Sequence, residues 1–110
     1  MLMKRFIIFL PFLAFALLFS LQSCGDENTV VTYTTDIEPI MTNRCITCHS
    51  GSTPSGNLLL TNYAEVRAAA EAGNLTTRIN DNTNPMPPSG LIPSDQRTTI
   101  QDWVNGGFLE

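Results

Sequence analysis

Cys45-Ile46-Thr47-Cys48-His49 is the stretch on which the reading of this chain turns. Two thiols two residues apart are followed at once by an imidazole. The same spacing serves several chemistries, and the rest of the chain decides among them. A structural zinc site takes four Cys or His ligands. Apart from Cys24, which has another use described below, the chain offers only Cys45, Cys48 and His49, one ligand short. A thioredoxin-like dithiol sits in a βαβ frame, whereas helical and loop patterns flank this motif. A disulfide between cysteines so close together closes a tiny loop and stabilises little. Covalent haem attachment uses all three side chains. The thiols reach two vinyl groups on one porphyrin edge, a helical turn presents both sulfurs, and the histidine brings a nitrogen under the iron. The motif therefore predicts one haem c held by Cys45 and Cys48, with His49 as an axial ligand.

The second axial ligand follows by elimination. His49 is the only histidine, and no lysine follows Lys4. Two methionines lie beyond Cys24, Met41 and Met86. Met41 is four residues before Cys45, on the same predicted helix and on the histidine side of the ring. Met86 lies in Asn84-Pro85-Met86-Pro87-Pro88. Proline fixes its own φ and biases the preceding residue to extended geometry, so this segment holds a thioether in place with little entropy left to lose. Met86 is thus the expected iron ligand, facing His49 across an apolar cavity. The other nitrogen of His49 needs an acceptor, and a carbonyl of the following loop, with Pro54 as the candidate, is expected there. Iron ligated on both faces changes only its oxidation state. An open or labile sixth site would instead mean a haem sensor or a peroxidase-like domain, and a chain without haem would be a thiol redox module.

The N-terminus reads as an export signal. Lys4 and Arg5 precede an apolar run from Phe6 to Leu21, broken only by Pro11 and Ser20. Its 16 residues fall short of the about 20 that a bilayer span needs, which favours a signal sequence. Leu21-Gln22-Ser23-Cys24-Gly25 resembles a bacterial lipobox, although Gln22 departs from the small or β-branched residue usual there. Cys24 would then be acylated, each buried methylene adding about 0.8 kcal/mol of membrane affinity. The expected organisation is a signal over 1–23, an acylated cysteine and tether over 24–32, and one haem domain over 33–110. The protein is expected in the bacterial cell envelope, lipid-anchored to a membrane. Asp26-Glu27 resembles sorting signals of some lipoproteins. From Cys24 onward the chain carries four Arg against ten Asp and Glu, a formal charge of 4 − 10 = −6. Such acidity argues against nucleic acid. It suits redox partner proteins with a basic docking face, or serves solubility alone. No small-molecule substrate is expected.

Three helices are predicted. The first starts at Thr35 or Asp36, where Thr35-Asp36-Ile37-Glu38 fits a capping box, and runs into Cys45 with Ile37, Ile40 and Met41 on one face. The second spans about 62–72, capped by Asn62 and stopped by Gly73, with Tyr63, Val66 and Ala70 on one face. The third starts after Pro93-Ser94, buries Ile100, Trp103 and Val104, and stops at Gly106. The tether may be expected to end in a short strand, and the Asn- and Pro-rich residues 80–90 to be irregular. Asn74-Leu75-Thr76 matches a glycosylation sequon, a tripeptide common by chance.

Taken together, these features resemble a small class I cytochrome c domain of the kind found in bacterial lipoproteins. The resemblance rests on Tyr33-Thr34-Thr35-Asp36-Ile37-Glu38-Pro39-Ile40 leading into the Cys45–His49 motif, on Met86-Pro87-Pro88, and on Trp103 followed by Gly106-Gly107. It runs from Tyr33 to Gly107. It implies an all-α fold of three main helices around one haem, the first and last packed across each other, acting as a single-electron carrier rather than an enzyme. The lysine-rich surface of the mitochondrial relatives is missing, so their docking mode is not implied. The domain is small for a generous core, and haem is expected to supply what is missing.

Overall fold

The computed structural model describes residues 29–110. The predicted signal segment, Cys24 and the first part of the tether lie outside the described residues. Among those described, every regular element is helical and no strand forms. The strand expected at the end of the tether is absent, and Val30 there is 63% exposed with no sheet to join. No helix among these residues is long and apolar enough to cross a membrane.

The first helix starts earlier than its sequence suggests. A π-helical turn, Tyr33–Ile37, runs directly into α1, Glu38–Arg44. Its cap is Thr32, not Thr35: the Thr32 hydroxyl accepts from the Thr35 amide at 3.4 Å, and the Asp36 carboxylate accepts from the Thr32 amide at 2.9 Å. The wider turn adds a residue, so the reciprocal acid stands four positions after the cap instead of the three of an ordinary capping box. Pro39, which has no N–H to give, sits just past this turn, where the regular ladder would be interrupted anyway. Ile37, Ile40 and Met41 are buried as their spacing requires.

The second helix, α2, spans Tyr63–Glu71, and the Asn62 side chain caps it by accepting from the Glu65 amide at 3.1 Å. A short helix that the sequence did not announce follows, α3, Asn74–Asn80. Gly73, at φ +75°, ends α2 and turns the chain into α3, a left-handed conformation that costs glycine little. Leu75 and Ile79, one turn apart, are the buried residues of α3. The last helix, α4, spans Ser94–Asn105 and buries Ile100 and Trp103.

The packing of first and last helices implied by the resemblance is present. Opposite ends of the two segments meet. The Tyr33 amide donates to the Leu109 carbonyl at 2.8 Å, and Arg44 at the end of α1 reaches the Gln96 side chain in the first turn of α4 at 3.3 Å. The chain after α4 folds back as a Schellman motif. The Gly107 amide bonds to the Val104 carbonyl and the Phe108 amide to the Trp103 carbonyl, while Phe108 packs edge-on to Trp103 at 5.1 Å. Paired bonds with an apolar contact across them are what this helix ending requires. Tyr33, Tyr63, Trp103 and Phe108 thus gather at one end of the domain, with neighbouring ring centroids 5.1–6.3 Å apart.

Candidate functional site

The site begins where α1 ends. The Cys45 and Ile46 amides both bond to the Met41 carbonyl, and the Cys48 and His49 amides both bond to the Cys45 carbonyl. These bonds coil the motif into a tight turn that presents Cys45 and Cys48 to one cavity. The following loop folds back over the motif. The Ser55 amide donates to the Cys48 carbonyl at 2.8 Å and the Leu60 amide to the His49 carbonyl at 3.0 Å. The second bond brings the Leu58 carbonyl to 3.0 Å from His49 Nδ1. The acceptor is therefore Leu58 rather than the Pro54 the sequence suggested, because the loop is pinned by Leu60 and Pro54 instead receives the Asn57 amide. A carbonyl only accepts, so Nδ1 carries the proton of the neutral ring and Nε2 keeps its lone pair.

Residues of α3 and residues 86–88 line the same cavity. The Met86 amide donates to the Arg78 carbonyl at 3.1 Å, which ties the methionine segment to α3. Upstream, the Asp81 carboxylate accepts from the Thr83 and Asn84 amides at 2.8 and 3.0 Å. Those two bonds hold its carboxyl below the usual aspartate range. The result is a cavity of about 310 Å³ onto which Cys45, Cys48, His49 and Met86 all open, with Leu58, Leu60, Leu75 and Ile79 as its apolar wall. Met41 takes no part: it is 1% exposed and belongs to the protein core.

The donor set suits haem and fits the other chemistries poorly. Among the described residues no three His, Cys, Asp or Glu side chains converge as a metal cluster would need, which argues against zinc. Cys45 and Cys48 are both free thiols. Burial pushes the Cys45 thiol up to about 11, the reverse of the lowered value that activates a redox dithiol. What remains is two thiols on one wall, an imidazole nitrogen without a proton, a soft thioether, and a greasy cavity among them. These groups fit a covalently attached, iron-bearing macrocycle.

A family model described as Planctomycete cytochrome C matches residues 45–90, from the first motif cysteine through Met86 to the end of the proline-rich loop. The match supports a cytochrome c-type domain. Cytochromes c carry covalently bound haem and transfer electrons, and this is what the chain is similar to over those residues. No curated protein and no solved structure gives a match.

Some residues of this site were not legible in the sequence. Leu75, Ile79 and Arg78 reach the cavity only because α3 forms. Leu75 and Ile79 are four apart, which was a usable signal. Thr76, Thr77 and the flanking asparagines obscured it, all being weak helix formers. Arg44 joins the lining simply by preceding Cys45.

Proposed function

We propose that this domain is a single-electron carrier with one haem c, bound through Cys45 and Cys48 and ligated by His49 and Met86. The observation that carries this reading is that Cys45, Cys48, His49 and Met86, the last far from the others in sequence, line one apolar cavity. When bound, haem supplies a one-electron iron couple. Cys45 and Cys48 would hold it covalently through their thiols at its vinyl groups. His49 offers Nε2, oriented by the bond from Nδ1 to the Leu58 carbonyl. Met86 offers a thioether, a soft donor that favours ferrous iron and raises the potential. Leu58, Leu60, Leu75 and Ile79 keep water from the iron's surroundings, which also governs potential.

With His49 and Met86 both holding the iron, no substrate site would remain at the metal, and the partners would be redox proteins. The signal pattern and Cys24 place the domain outside the cytoplasm on a lipid anchor, in this reading. An optical spectrum of the purified holoprotein tests the proposal together with its mass. One haem by mass, a low-spin ferric spectrum and a weak methionine–iron band in the far red are expected. A high-spin ferric spectrum would move the reading to a sensor or peroxidase-like domain, and no Soret band would remove haem altogether.

A further inference from the structure

Residues 30–33 and 108–109 meet at the aromatic end of the domain. The Leu109 carbonyl accepts from the Tyr33 amide at 2.8 Å and from Trp103 Nε1 at 2.7 Å. The Cys45–His49 motif lies toward the other end of the same helix pair, since Arg44, just before it, reaches Gln96 at 3.3 Å. Gln96 and Trp103 both stand on α4, and roughly 10 Å of helix separates them at about 1.5 Å per residue. Among the described residues the exposed large apolar side chains are Val30, 63% exposed, and Leu109, 45% exposed. Both belong to the aromatic end. Val30 is three residues before Tyr33 and so lies within about 10 Å of it at about 3.3–3.6 Å per residue. Apolar side chains scattered singly over a surface carry no message, but these two sit together where the tether enters the domain. The rings at this end are turned inward, with Trp103 and Tyr33 buried, so contact with anything outside falls chiefly to Val30 and Leu109.

Cys24, outside the described residues, is six residues before Val30. A chain of that length spans at most about 22 Å, so an acylated Cys24 would keep Val30 within that distance of the bilayer. Length alone leaves the domain free to roll on its tether. The apolar pair removes that freedom, because both side chains gain by leaving water. We propose that Val30 and Leu109 rest on the bilayer that holds Cys24, so that the aromatic end faces the membrane and the Cys45–His49 end faces away from it. The contact is shallow, since Glu110, exposed and next to Leu109, stays with water and headgroups. Two side chains offer too little apolar surface to bind a membrane unaided. The acyl chains hold the protein there, and the pair sets which end is down. An electron partner would then reach the cavity from the aqueous side. The proposal rests on the lipid-anchor part of the reading above and is independent of which residues ligate the iron.

The test uses the acylated, isotope-labelled holoprotein on phosphatidylcholine nanodiscs that contain a lipid with a gadolinium-chelating headgroup. Gadolinium speeds the relaxation of amides near the bilayer surface. Amides of residues 30–33 and 107–110 should relax several-fold faster than those of residues 47–53. Val30→Ser with Leu109→Ser, both at exposed positions, should flatten that difference while the protein stays on the disc. Equal relaxation at the two ends of wild type, or faster relaxation over 47–53, would overturn the proposal. An undiminished difference in the double variant would also overturn it, by giving the orientation to the tether alone. So would a Cys24→Ser protein that sediments as a dimer and reverts to a monomer with the two serines, because the apolar pair would then belong to a second copy. The wild-type map decides the orientation even where the double variant fails to accumulate. A wild-type protein without an acyl chain by mass would sink the anchor reading along with this proposal, whereas an acylated protein lying with its motif end down sinks this one alone.

Discussion

The two ends of the domain are built on different terms. At one end Tyr33, Tyr63, Trp103 and Phe108 pack ring against ring, and two of the polar groups among them bond to backbone carbonyls nearby. Trp103 Nε1 donates to the Leu109 carbonyl at 2.7 Å and the Tyr63 hydroxyl to the Phe108 carbonyl at 2.7 Å. At the other end, around the cavity, no Phe, Tyr or Trp among the described residues lines the wall. There the chain supplies aliphatic walls, two thiols and two ligand atoms, and leaves the centre to something else. Protein interiors are close-packed, so a cavity of this size is where the proposed haem would complete the packing. Aromatics are scarce beyond residue 28, and they are concentrated in one cluster instead of shared between the two ends.

The largest expected effect comes from removing haem. In a haem-free chain made by Cys45→Ala with Cys48→Ala, amide exchange protection should collapse over α3 and residues 80–90 and persist longest around Tyr33 and Trp103. Uniform loss of protection would break the comparison and show that the aromatic end cannot stand alone. Next is the aromatic end itself. Trp103 is fully buried, and Trp103→Ala should cost roughly 3–5 kcal/mol, a large share of the roughly 5–15 kcal/mol that holds a typical domain. Urea unfolding of the holoprotein followed by circular dichroism measures it. A loss no larger than that of an exposed-residue variant would place the structural weight in the haem end.

Met86→Ala should do the opposite: little to the helices and much to the iron. Haem should remain, held by Cys45, Cys48 and His49. Carbon monoxide should bind the ferrous form, followed in the Soret region, and the potential should drop on the order of 0.1 V, a fraction of the ~0.8 V span that axial ligands command. Wild type binding carbon monoxide as fast and as tightly would show that Met86 is not a stable ligand. Tyr63→Phe removes one hydroxyl that bonds to the Phe108 carbonyl and should cost about 1 kcal/mol, with the haem spectrum unchanged. A spectral change would mean that the two ends are more tightly coupled than their packing suggests.

The smallest effect concerns Asp81, whose carboxyl is held low by the Thr83 and Asn84 amides. A group with a lowered folded pKa stabilises above its unfolded pKa and loses that contribution as pH falls through the folded one. Asp81→Ala should therefore weaken the methionine–iron band at neutral pH, and the two proteins should converge in acid. Acid titration of the band reads this directly, and a constant difference at every pH would remove Asp81's charge from the account.

The Cys45–His49 motif was legible because it is local: the two thiols and the imidazole sit within five consecutive residues. Met86 was legible by elimination, in a chain with one histidine and no late lysine. The faces of α1, α2 and α4 were legible because burial on one side of a helix forces a period of 3.6. The start of the first helix was misread because the π-helical turn shifts the reciprocal acid by one position. The acceptor of His49 was misread because a loop carbonyl is aimed by distant backbone bonds, here from Leu60, and a loop sequence does not encode its aim.

By itself the sequence determined the all-α class and singled out the candidate attachment and ligand residues, since each depends on residue types at short or countable separations. Only the tertiary structure decided that Met86 opens onto the same cavity as His49, that α3 exists to hold it there, and that two arginines of an acidic chain stand at the cavity. Those outcomes depend on which segments come to lie side by side. That is set by the burial of Leu75, Ile79 and Trp103 against residues far away in the chain, and no local pattern records it.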